Sequence, residues 1–183
     1  LDGKIYFVGG YAGSFMNLAE RYDPATNQWE TLTPMSVARS SVASTVFNDK
    51  LYAIGGNGLS SVEIYDPQTG QWTAGPSLPS EVRNGIAITV DGKVLLVGGK
   101  TSTNNRINQV LELDPSTNQW SPKSSMPTAR SGHRIVLFEG KVWAIGGSTT
   151  LSSDQRTDKV EIYDPAIDSW ATGPSLTTGR HWP

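Results

Sequence analysis

Short apolar runs punctuated by turn-forming residues recur along the chain. The segments Lys-Ile-Tyr-Phe-Val, Lys-Leu-Tyr-Ala-Ile, Lys-Val-Leu-Leu-Val and Lys-Val-Trp-Ala-Ile begin at Lys4, Lys50, Lys93 and Lys141. Each is rich in β-branched and aromatic residues, the pattern of a strand covered on both faces. Ser41 to Phe47, Gly85 to Val90 and Gly132 to Phe138 stand just before three of them, joined by Asn48-Asp49, Asp91-Gly92 and Glu139-Gly140. Those dipeptides have hairpin-turn composition. A second hairpin is predicted at each Asp-Pro pair, through Ala-Thr-Asn, Gln-Thr-Gly, Ser-Thr-Asn and Ala-Ile-Asp. There Pro presets a turn φ, and Asn or Gly tolerates a positive one.

The elements belong to a repeat. Gly pairs stand at Gly9-Gly10, Gly55-Gly56, Gly98-Gly99 and Gly146-Gly147, and Asp-Pro follows at Asp23, Asp66, Asp114 and Asp164. Five residues past each proline comes Trp29, Trp72, Trp120 or Trp170, at intervals of 43, 48 and 50. Ten or eleven residues past each Trp sits Arg39, Arg83, Arg130 or Arg180. Four antiparallel strands in about 47 residues make one propeller blade. From the second Gly to the proline the spacing is 14, 11, 16 and 18 residues, while proline to Trp is constant. Length therefore varies in one loop; its two longest versions, Lys100 to Asn108 and Ser148 to Lys159, are mostly polar and suit variable contacts.

This marker set resembles the kelch repeat family over essentially the whole chain, with di-glycine after the second strand, aromatic-Asp-Pro ending the third, and a spaced Trp. Leu113 departs from the pattern, standing where Tyr22, Tyr65 and Tyr163 stand elsewhere. The resemblance implies an all-β, kelch-type β-propeller of about four blades, each of four antiparallel strands. Residues 1–38 supply three strands of a blade, 39–82, 83–129 and 130–179 three further blades, and 180–183 a stub. Closing a four-bladed ring would need the C-terminus to complete the first blade with too few residues, so a part of a six- or seven-bladed ring is expected, with a closed four-bladed ring as the other reading.

Composition removes several function classes. Fifteen Lys plus Arg against 17 Asp plus Glu leave a formal charge of −2, with no electrostatic footprint for nucleic acid. The longest apolar runs span four residues, against the roughly 20 of a transmembrane helix. Zero cysteines exclude, within this stretch, disulfides, thiolate metal sites, a cysteine nucleophile and the Tyr-Cys copper site of galactose oxidase, which shares kelch repeats. The two histidines, His133 and His181, lie at different offsets from their arginines and are not stacked by the repeat as a metal pair. Gly99-Lys100-Thr101 ends like a phosphate loop but has Val94 where the first glycine belongs. No cofactor and no catalytic set are expected. Loops rich in Ser, Thr and Asn, with no cysteine and no Asn-x-Ser/Thr acceptor, favour a bacterial envelope or secreted protein and leave a cytoplasmic one open.

Tryptophans and di-glycines read as structure, filling and closing the space between blades. The arginines are the candidate site. Kelch domains that bind acidic peptides use arginines matching Arg39, Arg83 and Arg130, to which Arg180 is added by the repeat. They also use the residue after the Gly pair, matching Tyr11, Asn57, Lys100 and Ser148. A guanidinium fork holds a carboxylate bidentately. The competing reading pairs each arginine with a backbone carbonyl or with Glu63 or Glu161. The expected function is a non-enzymatic module binding protein or peptide, its ligand carboxylate-bearing or phosphorylated. The alternative is a carbohydrate-binding or carbohydrate-active propeller, like the sialic-acid epimerases or galactose oxidase of this fold, with its site outside this segment; Tyr11 and Phe15 could stack on a sugar.

Overall fold

The computed structural model describes residues 1–150 and 155–181, and these form four antiparallel sheets in chain order. The first sheet is β1 (Ile5–Val8), β2 (Ala19–Asp23) and β3 (Gln28–Thr31). The second comprises β4 (Ala43–Phe47), β5 (Lys50–Ile54), β6 (Val62–Asp66) and β7 (Gln71–Ala74). The third holds β8 (Ile86–Val90), β9 (Lys93–Lys100), β10 (Arg106–Asp114) and β11 (Gln119–Lys123), and the fourth β12 (Arg134–Phe138), β13 (Lys141–Ile145), β14 (Val160–Asp164) and β15 (Ser169–Thr172). Every strand pairs only with its sequence neighbours, so each sheet is a meander and the chain is a series of propeller-type blades.

Turn chemistry explains the hairpins. Asn48 and Asp49, Asp91 and Gly92, and Glu139 and Gly140 all take positive φ, between 48° and 72°, as a two-residue turn matched to strand twist requires. At the second hairpin the positive φ falls on Asn27, Gly70, Asn118 and Asp168, while the Oδ1 of each repeat aspartate accepts the N–H two residues on, at Ala25, Gln68, Ser116 and Ala166.

The core lies between sheets. Along β9 the side chains alternate: Val94 and Leu96 pack toward the second sheet, Leu95 and Val97 toward the fourth, all four at 2% exposure or less. That is the two-sided burial expected of these runs, and β5 shares it; β1 and β13 depart from it, because one face of each is not covered by a neighbouring sheet. Trp72, Trp120 and Trp170 each donate an indole N–H across to the preceding blade, to the carbonyls of Thr33, Pro76 and Ser124, at 2.8 Å in every case. Trp29, Trp72 and Trp170 also face the repeat tyrosine across their hairpins, with ring centroids 5.1–5.2 Å apart at Tyr22, Tyr65 and Tyr163. At the third blade Leu113 takes that place opposite Trp120 and remains buried.

The two outermost faces of the series do not meet. Ile5, Phe7 and Trp29 of the first sheet are more than half exposed, and Val136 and Phe138 of the fourth about half. Among the described residues the four sheets are an open run of blades, with these two faces uncovered in place of the seam that a closed four-bladed ring would need.

Candidate functional site

The place where one blade hands the chain to the next is built by the Gly pair. The second glycine donates its N–H to the carbonyl of the residue ten past the Trp: Gly10 to Arg39, Gly56 to Val82, Gly99 to Arg130 and Gly147 to Arg180, at 2.8–2.9 Å. This geometry corrects the repeat assignment of one arginine. Val82, not Arg83, occupies the place of Arg39, Arg130 and Arg180, since the spacing from Trp is ten in all four blades; Arg83 is one residue further on.

That one-residue difference sends the side chains to different environments. Arg39 is fully buried, its Nη1 donating to the carbonyls of Gly55 and Ser61 and its Nη2 lying 2.7 Å from Glu63 Oε1. Arg130 repeats the arrangement, with Nη1 on the carbonyls of Gly146 and Lys159 and Nη2 2.7 Å from Glu161. Burial pushes the Glu63 carboxyl up, but the amides of Ser36 and Val37 together with Arg39 outweigh it and hold the group below its usual range. Burial likewise lowers Arg130, against the opposing attraction of Glu161. The backbone of each arginine belongs to one blade's loop and its head group to the next, so the pair ties adjacent blades together. The expected ring of four guanidiniums at one mouth is therefore not present: Arg39 and Arg130 expose no surface, and Val82 interrupts the series. Arg180 is exposed, with its Nε on the Thr178 carbonyl.

Arg83 does face the surface. Its backbone pairs with Lys100 in an antiparallel bridge, and its guanidinium donates to the carbonyls of Thr101 and Ser102 and to Asn104 Oδ1. Lys100 ends β9 and stands in register with Arg106, the first residue of β10. The segment read as a polar loop from Lys100 to Asn108 is thus a hairpin with a turn only over 101–105, and its register shifts between Ile107 and Val110. Arg106 Nη2 donates to Ser148 Oγ of the next blade at 3.3 Å. Among the predicted residues the structure therefore gathers Arg83, Lys100 and Ser148, and adds Arg106. Arg106 escaped sequence reasoning because it sits outside every repeated marker; its only signal was a cation in the variable segment.

Among the described residues a cavity of about 550 Å³ is lined by Asn104, Asn105 and Arg106 of the β9–β10 hairpin and by Ala129, Thr149, Thr150 and Gln155; of the polar segment expected from Ser148 to Lys159, residues 151–154 lie outside the described residues. Apart from Arg106 the lining side chains are uncharged, and Ala129 makes part of the wall apolar. Lys100 is held below its ordinary range, by burial first and then by Arg83 and Arg106; Arg106 is lowered by burial and by Arg83. The other predicted contacts lie apart. Asn57 occupies a turn at φ 45°, and Tyr11 is 67% exposed and bridged to Phe15, ring centroids 5.8 Å apart. His133 is wholly buried, and burial with Arg130 and Arg134 nearby lowers it to about 3 against a smaller opposing contribution from the Val97 backbone, so it is neutral.

Comparison with known proteins gives the repeat a context. The family model described as the KLHDC2/KLHL20/DRC7 Kelch-repeats domain matches residues 42–182, and the Kelch motif matches residues 1–36. Alpha-scruin of Limulus polyphemus is 33% identical over 121 residues, covering 59% of this chain and 13% of that protein. Human Kelch-like protein 6 is 46% identical over 57 residues, 31% of this chain and 9% of its own length. The chain thus spans under a seventh of either relative. A solved structure titled "Structure of YjhT" superposes with a TM-score of 0.83 at 20% identity, over 99% of this chain and 65% of that one, a likeness of fold.

Proposed function

The chain belongs to the kelch repeat family, and from that premise we propose that it is a non-enzymatic interaction module whose polar face at the third and fourth blades binds an acidic protein segment. Kelch repeat domains are commonly protein-interaction modules, which supports the class. The observation that carries the acidic preference is the juxtaposition of Arg83, Lys100 and Arg106 beside a cavity on a molecule of net charge −2. A local cationic site on an anionic body selects for complementary charge.

Charge-assisted contacts of this kind are worth about 1.5–3 kcal/mol each when desolvated. On a peptide array of graded acidic content the chain should retain acidic peptides, and Arg83→Ala should weaken retention roughly tenfold or more with only a small change in Tm. A fall in Tm without a change in affinity would make Arg83 a brace. The second reading, a carbohydrate surface, rests on the exposed Tyr11 and Phe15 pair. Saturable binding on a glycan array, with no peptide retained, would replace the first reading by the second.

A further inference from the structure

Arg83, Lys100 and Arg106 form a row. Arg83 bridges Lys100, and Lys100 faces Arg106 across the β9–β10 ladder, so the three lie side by side across neighbouring strands. Residues directly opposite in an antiparallel pair have Cβ atoms about 4.5–5.5 Å apart, and like charges there destabilise the sheet. Among the described residues none of the three has a carboxylate within ion-pair distance. Glu81 feels the charge of Arg83, but its Oε1 accepts the Ser102 N–H. Lys100 Nζ makes no hydrogen bond among the described residues, and Arg106 Nε is buried without a partner, as is Thr150 Oγ1 on the cavity wall.

The row is not a demand of the fold. In the fourth blade the matching bridges join Ser131, Ser148 and Arg156, a single cation, and in the second blade the residue after the Gly pair is Asn57. One blade of the repeat therefore carries an uncompensated cost that its neighbours avoid. Such a cost is offset when an anion is bound.

We infer that the Arg83–Lys100–Arg106 row and the cavity beside it form a recognition site for a phosphorylated serine or threonine in a partner protein. The inference rests on the interaction-module reading above and names the chemistry of its ligand. A phosphate monoester carries a charge of about −1.5 to −2 at neutral pH and three acceptor oxygens, against −1 and two for a carboxylate. It therefore offsets more of a three-cation row. Asn104, Asn105, Thr149, Thr150 and Gln155 supply neutral donors for the remaining oxygens and for peptide backbone.

The test uses the full chain and three degenerate peptide libraries that differ only at a fixed central residue: phosphoserine, glutamate or serine. Fluorescence anisotropy should show at least tenfold tighter binding of the phosphoserine library than of either other. Lys100→Gln should reduce that preference several-fold, and because Lys100 Nζ has no hydrogen bond to lose and its charge faces two like charges, Tm should hold or rise. Arg106→Gln should reduce it about tenfold. Equal binding of the glutamate and phosphoserine libraries overturns the phosphoryl assignment and leaves the acidic-segment reading standing. Absence of binding to every library overturns both, and retention of full phosphoserine preference in both variants overturns the site.

Discussion

Arg39 and Arg130 hold full charges at zero exposure, and what makes this tolerable is that each guanidinium is enclosed by two carbonyls and a carboxylate. Removing one partner of a buried pair strands the other, at a cost of about 3–5 kcal/mol. Arg39→Ala should therefore lower Tm on the order of 10 °C by calorimetry, and Arg83→Ala by clearly less, because the bonds it loses are on a partly exposed turn and its removal strands no buried carboxylate; equal shifts would show that the one-residue offset has no energetic meaning. His133 makes a second residue-scale prediction. Its native pKa of about 3 lies below the ordinary 6.5, so only the unfolded chain takes up a proton as pH falls between them. This contribution to stability is complete above 6.5 and is lost toward 3, by about 2 kcal/mol between pH 7 and pH 5. Urea unfolding at the two pH values should show that loss in the native chain, and His133→Gln should abolish most of it.

At the scale of elements, the Gly pair is a joint between one blade's second strand and the next blade's entrance. Gly55 takes φ +61°, and a Cβ there would stand 2.5 Å from the Val82 carbonyl oxygen, a backbone atom that cannot swing away. The unfavourable φ alone costs about 1–3 kcal/mol, and the clash adds to it. Gly55→Ala should destabilise the chain by more than Gly3→Ala, where φ is also positive but no atom lies within 4 Å of the added carbon. Similar unfolding free energies for the two variants would remove the close-approach explanation. The strands, both hairpins of each blade and the role of Trp were legible in the sequence, because alternation, turn residues and the Asp-Pro to Trp spacing are local. The extension of β9 through Gly98-Gly99-Lys100 and the start of β10 at Arg106 were not, because nothing local distinguishes a polar hairpin from a polar loop.

Across the whole molecule, two apolar faces stand uncovered at opposite ends of the run. Val136, Phe138, Trp143 and Ile145 line a shallow apolar hollow on the fourth sheet, on the side facing away from the third. Trp143 and Ile145 match Leu95 and Val97, which the following blade covers. On the first sheet Ile5, Phe7 and Trp29 are the counterparts of residues that pack on a preceding blade. The 183-residue chain should self-associate through these faces. Light scattering should give a concentration-dependent mass, and Phe138→Lys should shift it toward monomer. A monomeric mass for the native chain at every concentration would contradict this.

The markers of the repeat determined the fold class by themselves, because each acts within one hairpin or at one fixed spacing. Tertiary structure alone decided what the arginines do. Arg39 and Arg83 stand ten and eleven residues past their tryptophans, and a hydrogen bond from the preceding Gly pair turns that single-residue offset into a buried place for Val82 and a partly exposed one for Arg83. The cationic row likewise exists only through strand register, which brings together residues 83, 100 and 106. Charge pairing across a sheet depends on which residues face each other, and sequence separation does not carry that information.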